Sequence, residues 1–241
     1  MTEHDESIKQ KFFVYIIESP SAPDIYHGRS EGSLLTRAVE LDRTPSVTRT
    51  VINREAFGAA LTIGLPGVMK AHPALLPIIH ISAHGASHGI QLSSGEEITW
   101  RELRQYLVPI NESFGGVLLL CMSACEGYSA CRMAMHEEDS PHPFFAMVGN
   151  FGKPAWSDTA VAYASFYHLL SKGRSVPEAV DGMNAACGDN QWAVTTAEKS
   201  RRGYLEYLAN VPSEEAIADL EVVAEEAPNS ETAKALERAD G

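Results

Sequence analysis

The stretch Gly116-Val117-Leu118-Leu119-Leu120-Cys121-Met122-Ser123-Ala124-Cys125-Glu126-Gly127 decides the fold. Its first half is almost continuously apolar, the pattern of a strand buried on both faces of a parallel sheet. Its second half stops at a cysteine two positions before a glycine, where the backbone can turn tightly and approach a substrate. An equivalent run, Pro77-Ile78-Ile79-His80-Ile81-Ser82-Ala83, ends at His84-Gly85. Reactive groups in an open α/β sheet collect at the carboxyl ends of neighbouring strands. His84 and Cys125 are therefore a candidate base and nucleophile.

Working outward, Phe12 to Ile17 is another short apolar run, and Val47 to Asn53 alternates as a strand does. Phe144 to Gly149 and Trp192 to Thr196 complete six strands. Gly89 to Leu92 and Glu97 to Trp100 flank Ser93-Ser94-Gly95-Glu96 as a small hairpin. Helical spacing marks Leu34 to Leu41, Ala56 to Met69 with a break near Gly64 to Gly67, Trp100 to Ile110, Gly127 to His136 and Pro177 to Cys187. Ser157 is the expected N-cap of a helix over Asp158 to Ser171, with Gly173 at its C-terminal end. Strands alternating with helices predict an α/β fold with a mostly parallel sheet of about six strands flanked by helices. One domain over 1–210 is expected, followed by an acidic helical tail over 211–241.

The 241 residues include 32 acidic and 19 basic side chains, a formal net charge of -13. That balance argues against a nucleic-acid partner, because phosphate contacts need clustered Lys and Arg. No apolar run approaches the ~20 residues of a membrane span. The polar start, Met1 to Lys11, lacks the layout of a secretory leader. A reducing, cytoplasmic setting is expected, with Cys121, Cys125, Cys131 and Cys187 as free thiols. The pairs His84/His88 and Cys121/Cys125 have four-residue spacing, but on a strand four residues span about 13 Å. No metal and no organic cofactor are expected.

In the chemistry this predicts, the Cys125 thiolate attacks a peptide carbonyl and His84 protonates the departing amine. The N–H groups of Gly85 and Cys125 are the expected oxyanion donors. The alternative for Cys125 is a small buried core thiol, the better reading for mid-strand Cys121. His80 reads as structural, and His88 as a loop residue near the site.

The His-Gly and Ala-Cys strand ends resemble those of caspase-like cysteine peptidases, and particularly of the bacterial caspase-like proteins called CHAT domains. Trp156-Ser157-Asp158, Phe166 to Leu170, Gly173 and Val176 to Ala186 resemble that family's closing helices, so the likeness runs from Phe12 to Thr196. Caspases proper carry Gln-Ala-Cys-Arg/Gln/Gly-Gly around the nucleophile, with the histidine about 50 residues upstream. Here the motif is Ser123-Ala124-Cys125-Glu126-Gly127, and position 84 precedes 125 by 41. The resemblance implies the dyad, but not cleavage after aspartate.

By the same resemblance, the loop after the first strand contributes to the pocket for the residue before the cut. Arg29 there would favour an acidic or polar side chain, with Ser123 as another wall. Asp158 would instead favour a basic one, and the sequence leaves both open. His136 to Pro143 lies where caspases are cut into two subunits, which makes processing after Asp139 one expectation and an ordinary exposed loop the other. The resemblance further implies a protein substrate and a latent effector of bacterial anti-phage immunity or regulated cell death, woken by a nucleotide-like small molecule or a protein partner. The rival reading is a catalytically silent caspase-like module for ligand binding or signalling. A serine hydrolase using Ser82 or Ser123 lacks the Gly-x-Ser-x-Gly elbow.

Overall fold

The structure, a computed structural model, describes residues 12–210. The tail expected over 211–241 lies outside the described residues.

Six strands form the main sheet: β1 (Phe12–Ser19), β2 (Ser46–Thr50), β3 (Leu76–Ala86), β6 (Leu119–Ser123), β7 (Ala146–Asn150) and β8 (Trp192–Thr196). Their order is β2-β1-β3-β6-β7-β8, parallel throughout except for the antiparallel β7–β8 pair. The predicted hairpin is present as β4 (Gly89–Gln91) and β5 (Glu97–Thr99), with β4 paired to the end of β3. This is the predicted mostly parallel α/β architecture.

Alternation along β1 explains its unbroken apolar run. Phe13, Tyr15 and Ile17 face one side, packing in a core with α3 (Arg54–Ala59), α4 (Leu65–Ala71) and α5 (Trp100–Ser113). Val14 and Ile16 face the other, against α2 (Glu31–Leu41), α6 (Trp156–Ser171) and α7 (Val176–Cys187). A strand buried on both faces has no polar position to spend. Cys121 belongs to the second core and is fully buried, as its mid-strand position predicted.

Three local expectations are corrected. The helix from Ala56 does not break at Gly64-Leu65-Pro66-Gly67; it widens into a π-helical turn over Ala60–Gly64 and continues as α4. The proline falls in the first turn of α4, where a missing N–H costs least. The Tyr15 hydroxyl donates to the Ala60 carbonyl at 2.7 Å. Ser157 does not cap α6, whose N-cap is Ala155 without a side-chain bond. Strand β3 does not stop at Ala83: it runs on to Ala86, and His84 pairs with Gln91 of β4.

Helix α1 (Ala22–Tyr26) follows β1, and α8 (Ala197–Asn210) follows β8. Among the described residues no helix is long and apolar enough to cross a membrane.

Candidate active site

Parallel β3 and β6 are neighbours, with Ser82 opposite Ser123. Their next residues, Ala83-His84-Gly85 and Ala124-Cys125, therefore lie side by side beyond that pair. The closeness is measurable at Gly85. A Cβ built there would stand 2.2 Å from the Cys125 carbonyl oxygen, 2.8 Å from its nitrogen and 2.8 Å from the Ala124 Cβ. Only a residue without a side chain lets the two backbones meet this way.

The turn bearing Cys125 is fixed from several directions. Gly127 N–H donates to the Ala124 carbonyl at 3.0 Å, and buried Asn150 Nδ2 donates to the same oxygen at 2.8 Å. Between them Glu126 adopts a left-handed conformation, φ +54°, its N–H bonded to the Gly152 carbonyl at 2.7 Å. A non-glycine residue there carries local strain, and such strain clusters where geometry matters to function. The arm carrying His84 is held beyond it: Trp100 Nε1 and Arg132 Nη1 both donate to the Ser87 carbonyl, at 2.8 and 3.2 Å.

His84 and Cys125 line a single cavity of about 200 Å³ together with Glu18, Asp24, Arg29, Glu31, Ser123, Trp156 and Thr159. Cys125 is partly exposed and His84 exposed, so both are accessible to a substrate. Asp24 lies within electrostatic reach of His84; its carboxyl is held below the ordinary range, first by the bond from Ser21 Oγ and then by Arg29 and His84. By contrast, burial pushes the Cys121 and Cys131 thiols up to about 12, which leaves them as inert core groups.

The proposed specificity residues separate. Arg29 lines the cavity, with its guanidinium largely in solvent and 3.4 Å from Asp24. Ser123 lines it too, but its buried hydroxyl is engaged with Glu31 at 2.7 and 2.8 Å. Asp158 does not line it; that residue sits exposed in the first turn of α6, while its neighbours Trp156 and Thr159 reach the cavity wall.

Two carboxyls that sequence reasoning passed over sit in the cavity instead, each only 4% exposed. Glu18, at the carboxyl end of β1, accepts from Ser30 Oγ at 2.8 Å, Gly32 N–H at 2.9 Å and Thr50 Oγ1 at 3.1 Å. Glu31, in the first turn of α2, accepts from Ser82 Oγ at 2.6 Å and from Ser123. Charge at the end of an apolar strand was the available signal for Glu18. Nothing in its sequence context marks Glu31, since an acid is common in the first turn of a helix. Among the described residues no group of three or more His, Cys, Asp and Glu side chains converges as a metal site requires.

No family model and no curated protein matches the sequence. Solved structures do. A secreted C11 cysteine protease from Bacteroides thetaiotaomicron, "iotapain", superposes with a TM-score of 0.54 at 11% identity, over 82% of this chain and 69% of that one. The Arg-specific cysteine proteinase gingipain R gives 0.47 at 11% identity, over 78% and 47%. A complex of Porphyromonas gingivalis RgpB pro- and mature domains gives 0.46 at 12% identity, over 78% and 48%. The chain thus spans about half the length of the last two. The likeness to the C11 protease lies in the fold: a caspase-like cysteine protease fold, with its mostly parallel sheet between helices.

Proposed function

We propose that this chain is a cysteine endopeptidase acting through His84 and Cys125, without metal or organic cofactor. The observation that supports the reading is the contact of Gly85 with the Cys125 backbone, with His84 and Cys125, from the ends of adjacent strands, lining one cavity. In the reaction, His84 accepts the thiol proton of Cys125, and the sulfur bonds to the peptide carbonyl carbon. The oxyanion so formed is held by the Gly85 and Cys125 N–H groups, a contribution of about 3–4 kcal/mol per donor in enzymes where it has been measured. Collapse breaks the C–N bond as His84 passes its proton to the amine. Water, deprotonated by His84, then hydrolyses the thioester and restores the thiol.

The test is to incubate the protein and its Cys125→Ala variant with a cell lysate and map new peptide N-termini by mass spectrometry. New ends that vanish in the variant are expected; ends that persist would refute the dyad. A catalytically silent module would yield none under any activating condition.

The role we propose is that of a latent cytoplasmic effector in bacterial anti-phage immunity or regulated cell death. It would act on a protein substrate once a nucleotide-like small molecule or a protein partner has bound. Support comes from the sequence resemblance to bacterial caspase-like proteins. Repeating the lysate assay with small-molecule extract from phage-infected cells should raise cleavage, and an unchanged rate with both extract and host proteins present would count against this role.

A further inference from the structure

Resting on that protease reading, we propose that the cavity beside Cys125 receives a basic side chain, Lys or Arg, from the residue preceding the cut, and that Glu31 is the specificity-determining residue.

The first argument is the balance of charge in the cavity. Three carboxyls, Glu18, Asp24 and Glu31, line it against one guanidinium, that of Arg29. Arg29 is 57% exposed and already paired with Asp24. Among the described residues neither Glu18 nor Glu31 forms an ion pair with a lysine or arginine; their partners are the hydroxyls of Ser30, Thr50, Ser82 and Ser123 and one backbone N–H. Buried carboxylates ordinarily find a cation.

The second argument distinguishes the two. Glu18 is occupied in capping α2: Ser30 is the N-cap and Gly32 N–H belongs to the first turn. Glu31 takes its hydrogen bonds from side-chain hydroxyls, one from the histidine-bearing strand and one from the cysteine-bearing strand. Behind it the fully buried His80 turns Nε2 toward Glu31 Oε1 at 3.4 Å, without a hydrogen bond to any described group. Ser82 and Ser123 therefore aim Glu31 into the space next to the nucleophile, where an ammonium or guanidinium would gain charge-assisted hydrogen bonds. An acidic side chain would meet like charge instead. This selects against the preference that Arg29 alone suggested.

Peptidyl chloromethyl ketones with Arg, Lys, Leu or Asp at the last position test this on the full chain. Each forms a thioether with Cys125 as chloride leaves and the thiol proton passes to His84, and intact mass follows the rate. The Arg and Lys probes should label Cys125 at least tenfold faster than the Leu and Asp probes. In Glu31→Gln, which keeps the shape and an acceptor oxygen, that ratio should fall at least tenfold. The ratio in the unaltered protein decides the question even if the variant does not fold. Faster labelling by the Asp or Leu probe, or an unchanged ratio in Glu31→Gln, would overturn the specificity and leave the dyad standing. Labelling of Cys125 by no probe faster than of Cys187, with extract and proteins from phage-infected cells present, would overturn the dyad, and the specificity with it.

Discussion

Gly85 rests against the backbone of Cys125 so closely that the space a Cβ would need is already filled, 2.2 Å from one oxygen and 2.8 Å from the nitrogen. The contact couples two chain segments 40 positions apart in sequence, and it depends on one hydrogen atom standing where other residues carry carbon. Position 85 would thus be structural and chemical together, since its N–H is also the proposed oxyanion donor.

Gly85→Ala should therefore lower kcat/KM by at least 100-fold. Fixed backbone atoms must shift, and overpacking of this kind costs about 1–3 kcal/mol. Urea unfolding read beside peptide hydrolysis checks both; an alanine variant with normal kcat/KM would mean that the backbone relaxes without cost.

Thiol chemistry should discriminate among the four cysteines. Cys121 and Cys131 are buried, with thiols raised to about 12 by that burial, whereas Cys125 is partly exposed. Cys187 is also reachable, but its thiol is raised by burial and then by Asp189 and Asp158. Iodoacetamide at pH 7.5 should modify Cys125 first and Cys187 more slowly. Cys121 and Cys131 should react only in denaturant, as peptide mapping of a time course would reveal.

The loop over 136–143 is fastened. Arg201 of α8, 7% exposed, donates from Nη1 to the Glu138 carbonyl at 2.6 Å and from Nη2 to the Ser140 carbonyl. Asn111 Nδ2 holds the His142 carbonyl at 2.9 Å. Arg201→Ala should cost about 2–3 kcal/mol, the range for bonds to a charged donor. Limited Glu-C digestion should then cut this loop, after Glu137 or Glu138, at least tenfold faster. Equal digestion rates would show that the fastening lies elsewhere.

Stability should fall as pH drops below neutrality, in part through His142. Burial, then Arg201 and Arg104, lower its pKa from 6.5. Between the lowered folded value and 6.5 the unfolded chain binds more protons, so the unfolding free energy decreases as pH falls through that window. The difference in Tm between pH 7.5 and pH 5.5 should shrink in His142→Gln. An unchanged difference would assign the acid sensitivity to other groups.

Much of the architecture could be read from residue pattern alone, because buried parallel strands write themselves as apolar runs. The runs beginning at Phe12, Pro77 and Val117 all became neighbouring strands. What escaped was set by partners distant in sequence. The Gly64-Pro66 pair looks like a break, yet Tyr15, reaching across from β1, bonds at the widened turn. Ser157 looks like a cap, but the helix begins a residue earlier. Within the site, His84, Cys125 and Arg29 were visible as unusual residues at strand ends or in the following loop. Glu31 was hidden because a first-turn glutamate needs no explanation, and only the fold brings it to Ser82 and Ser123. Asp158 lies outside the cavity for the converse reason: nearness along the chain to Trp156 and Thr159 does not fix which way a helical side chain faces.

The fastening of the 136–143 loop bears on how any self-cleavage would proceed. Asn111 also receives the Leu118 N–H at 3.0 Å, so His142 sits by the start of β6, while Cys125 follows its end. Five strand residues separate the two by roughly 16 Å. A copy of the chain cannot bend its own loop to its own thiol across that length while Arg201 grips it. A cut after Asp139 would also need an acidic side chain in a cavity lined by Glu18, Asp24 and Glu31, so this loop should stay whole and the chain should work as one piece.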